Sequence, residues 1–222
     1  MKDRWATFDC YGTLVDWLGG MRTTLEQLWP DADPAALLAR YHQLEPGVQA
    51  GRGIPYRTVM AETLSSVASD AGLGIPAGSE DALGTSLPRW PVFAEVPAAL
   101  AELRDRGWRL AILSNTDPDL LDASLQAIGV PVDVRIVASE IGSYKPAFGH
   151  WQVFYLRTSA EPSRHVHVAA SLFHDVQPCA ELGIRCVWIN RLGEQSQLSR
   201  AGELTDLAAL PDTLEALVPR RA

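Results

Sequence analysis

Phe8-Asp9-Cys10-Tyr11-Gly12-Thr13-Leu14 follows directly on the apolar run Trp5-Ala6-Thr7-Phe8. The stretch sets a carboxylate at the end of a short buried-strand pattern. Gly12-Thr13 then supplies a tight turn carrying a hydroxyl. Open parallel sheets place their ligand sites outside the carboxyl ends of their strands. A carboxylate there, surrounded by turn N–H groups, can attack an electrophile and form a covalent ester. Asp also caps the element that follows it, and the choice between the two readings falls to the rest of the chain.

Outward from this stretch, β-like runs alternate with helix-like spacing through the second half of the chain. Residues 108–113, 134–138, 165–169 and 186–190 read as strands. Residues 98–106, 119–128, 148–158 and 176–182 carry apolar side chains at helical spacing, several of them closed by Gly. This alternation predicts an α/β fold, a parallel sheet with helices on both faces. Residues 15–90 break the rhythm, with helical periodicity over 21–29, 35–44 and 56–71 and no convincing strand. They read as a helical cap inserted after the first strand to cover the strand ends. Residues 71–78 form a loop inside it, and 88–97 lead back to the core. The expected division is a core of residues 1–14 and 91–222 and a cap of residues 15–90.

The 222 residues have room for one substantial core plus an insertion, or for two small domains. With 47% hydrophobic and 21% charged residues, the composition is that of an ordinary soluble globular protein. A net charge of −8 speaks against nucleic acid or an anionic membrane as partner. An anionic substrate must then be drawn in by a local basic cluster. There is no basic-then-apolar leader and no apolar run of about 18 residues, so neither secretion nor membrane spanning is expected. Cys10, Cys179 and Cys186 are an odd set without C-x-x-C spacing. They read as reduced thiols of a cytoplasmic protein. Strand alternation points Cys10 away from Asp9, as a packing residue and not a second nucleophile.

Each later strand end carries side chains suited to one site. Ser114-Asn115-Thr116 follows the second strand and Ser143-Tyr144-Lys145-Pro146 the third. Pro146 can open a helix at its first position, with Lys145 projecting ahead of it. Ala170-Ser171-Leu172-Phe173-His174-Asp175 follows the fourth. A lone lysine is usually a solvated charge and Ser-Asn usually a turn. A carboxylate, hydroxyl, lysine and second acid on successive strand ends form a pattern.

That order resembles the haloacid dehalogenase superfamily over nearly the whole chain, through Asp9 with Gly12-Thr13, Ser114-Asn115, Lys145-Pro146 and Asp175. It is most similar to the type II branch, the L-2-haloacid dehalogenases, which read F-D-x-Y-G-T-L, S-Y-K-P and W-I-N-R. Here these are residues 8–14, 143–146 and 188–191. The branch also carries a cap arginine shortly before Gln-Leu-Glu, matched by Arg40 before Gln43-Leu44-Glu45. The resemblance implies a Rossmann-like core with a helical cap and no metal or other cofactor. Phosphatase members have a second Asp two positions after the nucleophile and an acid early in the fourth motif. Here those positions are Tyr11 and Ala170. A halide leaves without protonation, whereas an alkoxide does not. A monoanionic substrate also needs less charge compensation than a phosphoryl group. Both losses favour displacement at carbon.

The implied roles follow residue by residue. Asp9 attacks the α-carbon of a 2-halo acid. Lys145 keeps Asp9 ionised, since an opposite charge lowers a carboxylate pKa by roughly 1–3. Thr13, Ser171 and Asp175 position these groups and the hydrolytic water, with Asp175 activating it. Ser114, Asn115 and the backbone at Tyr11 bind the substrate carboxylate, and Arg40, with Arg52 and Arg57 as rivals, meets the departing halide. Leu172, Phe173, Trp17 and Trp151 suit an apolar pocket, though apolar side chains are most often core. The branch's S-S-N-A-W-D stands here as Ala170–Asp175, so its Asn is Leu172 and its first Ser is Ala170. Its third-motif Tyr is Trp151, six residues after Lys145. His174 is a candidate for compensating these losses. As a site cation, Lys145 is expected to contribute little to the core. The expected activity is hydrolysis of a small 2-haloalkanoic acid to the 2-hydroxy acid. The alternatives are a Mg²⁺-dependent phosphomonoesterase, opening of a strained ring on a small carboxylic acid, and a non-catalytic binding module. The partner is a small carboxylate, and oligomeric state, a homodimer included, is left open.

Overall fold

The computed structural model describes residues 3–220. Strand β1 (Arg4–Phe8) is buried along its length and leads into the Asp9 turn. Four helices follow: α1 (Trp17–Leu28), α2 (Pro34–Gln49), α3 (Tyr56–Asp70) and the short α4 (Ala82–Ser86), which runs into a 3₁₀ turn at Leu87–Arg89. Asp16 and Asp33 start α1 and α2 by accepting hydrogen bonds from the Gly19 and Ala35 N–H groups, and Pro34 presets the first turn of α2. Among the described residues no strand follows β1 until Trp108, as the periodicity predicts.

From α5 (Val96–Asp105) onward the elements alternate: β2 (Trp108–Ser114), α6 (Pro118–Ile128), β3 (Val134–Val137), α7 (Ala138–Ile141), α8 (Gly149–Thr158), β4 (His165–Ala169), α9 (Gln177–Leu182), β5 (Cys186–Ile189), β6 (Gly202–Leu204) and α10 (Leu210–Leu217). From α5 onward three elements escape the sequence reading, as does the short α4 before it. The one-turn α7 takes over at Ala138 where the strand pattern runs on. The three-residue edge strand β6 is too short to show alternation, and α10 lies beyond the last motif. Pro146 does not open a helix: it sits in a turn with a cis Lys145–Pro146 peptide bond, and α8 begins at Gly149.

All strands are parallel, in the order β3-β2-β1-β4-β5-β6. The chain steps from β1 outward to β3, then returns to lay β4 against the other side of β1. The switch in direction opens a crevice at the carboxyl end of β1, which is where Asp9 sits. Alternate residues face opposite layers. Ala6, Phe8, Leu110, Ile112, Val166 and Val168 pack into a core shared with α5, α6, α10 and the inserted helices. Trp5, Ala111, Leu113 and Trp188 pack with α8 and α9 on the other face. Cys10 is fully buried in the first of these cores. No helix among the described residues is long and apolar enough to cross a membrane.

Candidate active site

The crevice widens into a cavity of about 810 Å³ between the strand ends and the inserted helices, with Asp9, Lys145 and Asp175 on its wall. Lys145, only 1% exposed, donates to Asp9 Oδ1 at 2.8 Å and to Asp175 Oδ1 at 2.7 Å. Asn115 fixes its backbone: Oδ1 accepts from the Lys145 N–H at 2.7 Å and Nδ2 donates to its carbonyl at 2.9 Å. Thr13 donates to Asp9 Oδ2 at 2.9 Å and accepts from the Ala170 N–H at 2.9 Å, tying the β1 turn to the end of β4. The turn needs Gly12, whose φ of 89° is unfavourable for a side chain. Ser171 accepts from the His174 N–H at 3.0 Å and so caps the π-helical turn Leu172–Val176 that carries Asp175. One ammonium is thus held between two buried carboxylates.

Burial raises the Asp9 pKa above its ordinary value, and neighbouring Asp175 adds to the rise; the Lys145 charge and the Lys145 and Thr13 hydrogen bonds oppose it without cancelling it. Lys145 thus acts in the expected direction, and burial is what leaves the Asp9 pKa above its ordinary value. Burial also works against the charge on Asp175, but Lys145 and His167 outweigh it and hold this carboxyl below the usual range. Desolvation likewise opposes the charge on Lys145, and the two carboxylates overcome it, raising its pKa. The expectation that Lys145 contributes little to the core is corrected, because its side chain is fully enclosed and is the counter-charge of two buried carboxylates.

Tyr11, Ser114, Asn115, Ser171, Leu172, Phe173 and His174 also reach the cavity wall. The Ser114 hydroxyl is buried without a partner among the described residues. The Tyr11 side chain runs toward α6, its hydroxyl 3.1 Å from Ser124 Oγ. Burial pushes the His174 pKa down to about 4.

Two expected residues are not brought to the cavity. Arg40 lies on the outer face of α2, 44% exposed at its side chain, paired with Asp70 at 2.6 Å and donating to Gln43. Helical geometry explains this: residues 42, 45, 46 and 49 share one stripe, and residue 40 sits about 160° around the axis from residue 42. That stripe presents His42, Glu45, Pro46 and Gln49 to the cavity. Arg52 and Arg57 are also turned outward, paired with Glu62 and Asp119. The second residue is Trp151, which is 1% exposed in the opposite core and packs edge-on against His167, with ring centres 5.4 Å apart.

Sequence reasoning missed Glu45 and His167. Glu45 is 6% exposed, and its Oε1 accepts from the hydroxyls of Tyr56 at 2.9 Å and Tyr41 at 3.3 Å. Burial pushes its pKa up to about 7, against the hydrogen bonds from Tyr56, Tyr41 and Gln49. His167 Nε2 donates to Asp175 Oδ1 at 2.9 Å. The signal for it was present: His165-Val-His167 at period two puts both imidazoles on one face of β4.

Carboxylates flank a buried ammonium at the carboxyl ends of neighbouring parallel strands, facing a cavity beneath a helical insertion, and this is the build of an α/β enzyme site. Residues 4–183 match the haloacid dehalogenase-like hydrolases, and the chain belongs to that family. It is similar to an (S)-2-haloacid dehalogenase of Pseudomonas sp. strain YL, 27% identical over 94% of this chain and 93% of that protein. It is likewise similar to haloacetate dehalogenase H-2 of Moraxella sp. strain B, 29% identical over 84% and 85%. Its fold matches the structure of the L-2-haloacid dehalogenase of Xanthobacter autotrophicus with chloropropionic acid covalently bound. That match has a TM-score of 0.84 at 20% identity, covering 96% of this chain and 98% of that one.

Proposed function

We propose that the protein displaces halide from a small 2-haloalkanoic acid with Asp9 as nucleophile, and that residues 15–90 act as the cap over the reaction. The observation that carries this reading is the double grip on Asp9. Lys145 holds Oδ1 and Thr13 holds Oδ2, so the carboxylate is aimed from a wall of the cavity with its charge supported on both oxygens. Oδ attack on the α-carbon forms the ester bond as the carbon–halogen bond breaks, and the halide carries away the electron pair. The unpartnered Ser114 hydroxyl is placed to receive the substrate carboxylate. Water then adds to the Asp9 acyl carbon, and Asp175 takes a proton from it. The ester opens to the 2-hydroxy acid.

Two features support a reaction without a metal ion. A halide needs no acid at the position of Tyr11. The carboxylate oxygens Asp9 Oδ1 and Asp175 Oδ1 are both committed to the Lys145 ammonium.

Single turnover of 2-chloropropanoate in H₂¹⁸O tests the proposal. Label is expected in the Asp9 carboxylate, because water attacks the enzyme acyl carbon. Label in the first-turnover hydroxy acid would point to direct attack by water. Halide release should persist in EDTA, and loss restored by Mg²⁺ would count against the reading.

A further inference from the structure

Behind Asp175, on the face of the sheet away from the main core, runs a buried line of hydrogen bonds. His167 Nε2 lies 2.9 Å from Asp175 Oδ1, and His167 Nδ1 lies 2.7 Å from Thr7 Oγ1. Thr7 Oγ1 is 2.7 Å from His165 Nε2, and His165 Nδ1 is 2.8 Å from the Tyr155 hydroxyl. Thr7, His165, His167 and Asp175 are all fully buried. The parallel register of β1 and β4 sets Thr7 beside His167, and period-two alternation brings His165 to the same face.

The donors assign along the line with Asp175 accepting at one end and the Tyr155 hydroxyl donating at the other. Ionised Asp175 accepts, so His167 carries its proton on Nε2 and its Nδ1 accepts from Thr7. The single Thr7 proton is then spent, so Thr7 accepts from His165 Nε2–H, and His165 Nδ1 accepts from Tyr155. Burial lowers the His165 pKa to about 3, which keeps it neutral, and raises the Tyr155 pKa to about 12, which keeps it a donor. Trp151 and Phe154 pack on the two imidazole rings, with centres 5.4 and 4.7 Å away, and limit their rotation.

The consequence falls on Asp175. Lys145 and His167 both donate to Oδ1, while Oδ2 is buried without a partner among the described residues. We propose that Thr7, His165, His167 and Tyr155 form a positioning relay that locks Asp175 through Oδ1 and reserves Oδ2 for the hydrolytic water. This rests on the dehalogenase reading above. In the step concerned, water loses a proton to Oδ2 as its oxygen bonds to the Asp9 acyl carbon. The ester C–O bond then breaks, the alkoxide leaves with the proton from Oδ2, and the proton on the new Asp9 carboxyl group goes to solvent. The relay acts on the second half of the reaction and leaves halide displacement alone.

The test is pre-steady-state halide release from 2-bromopropanoate by wild type, Thr7→Val, Thr7→Ser and Tyr155→Phe. Thr7→Val should keep a first-turnover burst of halide close to one per active site. Its steady-state rate should fall roughly ten- to a hundred-fold, within the share a positioned base supplies. Thr7→Ser restores the hydroxyl and should restore the steady state. Tyr155→Phe, at the half-buried end of the line, folds without a core change and should show the same signature several-fold weaker. Burst and steady state falling together in Thr7→Val, or Tyr155→Phe and Thr7→Val both matching wild type, overturns the relay. Wild type releasing no halide overturns the dehalogenase reading and the relay with it.

Discussion

Replacing Lys145 with Met probes the centre of the site. The methionine stem keeps most of the lysine volume, so the cavity left behind is small. The charge is what disappears, and it holds Asp9 and Asp175 at 2.8 and 2.7 Å where both are nearly or fully buried. Removing one partner from a buried ion pair costs about 3–5 kcal/mol, a large part of the roughly 5–15 kcal/mol that stabilises a typical domain. The loss depends on pH in a fixed direction. Without the ammonium, both carboxyls are raised by burial and by each other, so the folded variant binds more protons than the unfolded chain. Its deficit against wild type is then smallest in mild acid and grows as pH rises. Urea unfolding followed by circular dichroism at about pH 5 and about pH 8 reads the difference. Halide release by the folded variant should also fall by roughly 10²-fold or more. Lys145→Met unfolding within about 1 kcal/mol of wild type at both pH values would refute the account of Lys145 as the counter-charge of a buried triad.

Glu45 gives a second pH signature: its folded pKa near 7 against an ordinary 4.5 makes wild-type stability fall across that interval, by roughly 3 kcal/mol at most. Glu45→Gln should lack this fall, so the variant gains on wild type as pH rises through 7, and parallel stability curves would show that the carboxyl is not held as described. Arg40→Ala removes an exposed pair with Asp70 and an exposed hydrogen bond to Gln43, so turnover should match wild type and stability should change by under about 1 kcal/mol in thermal unfolding; a large drop in turnover would return Arg40 to the site.

The strand–helix rhythm, the run of helices between the first two strands and the meeting of Asp9, Thr13, Lys145 and Asp175 at the strand ends were legible in the chain itself. Strand alternation and strand-end chemistry are local properties, written in residues within a few positions of each other. What each side chain touches is not local. Arg40 matches a motif by spacing, yet the turn of α2 carries it outward and delivers Glu45, a carboxyl whose pKa burial raises to about 7 against the hydrogen bonds of two tyrosine hydroxyls, one of them from α3. Trp151 looks like a pocket residue by its distance from Lys145, but it faces the opposite core and braces His167. The pairing of β1 with β4 alone sets Thr7 beside His167, and with it the line of hydrogen bonds behind Asp175. The residue types and their order along the strands were therefore set by sequence. The protonation and partners of those residues were decided by burial and by contacts between segments far apart in the chain, because the field at a buried group is the sum over every element packed around it.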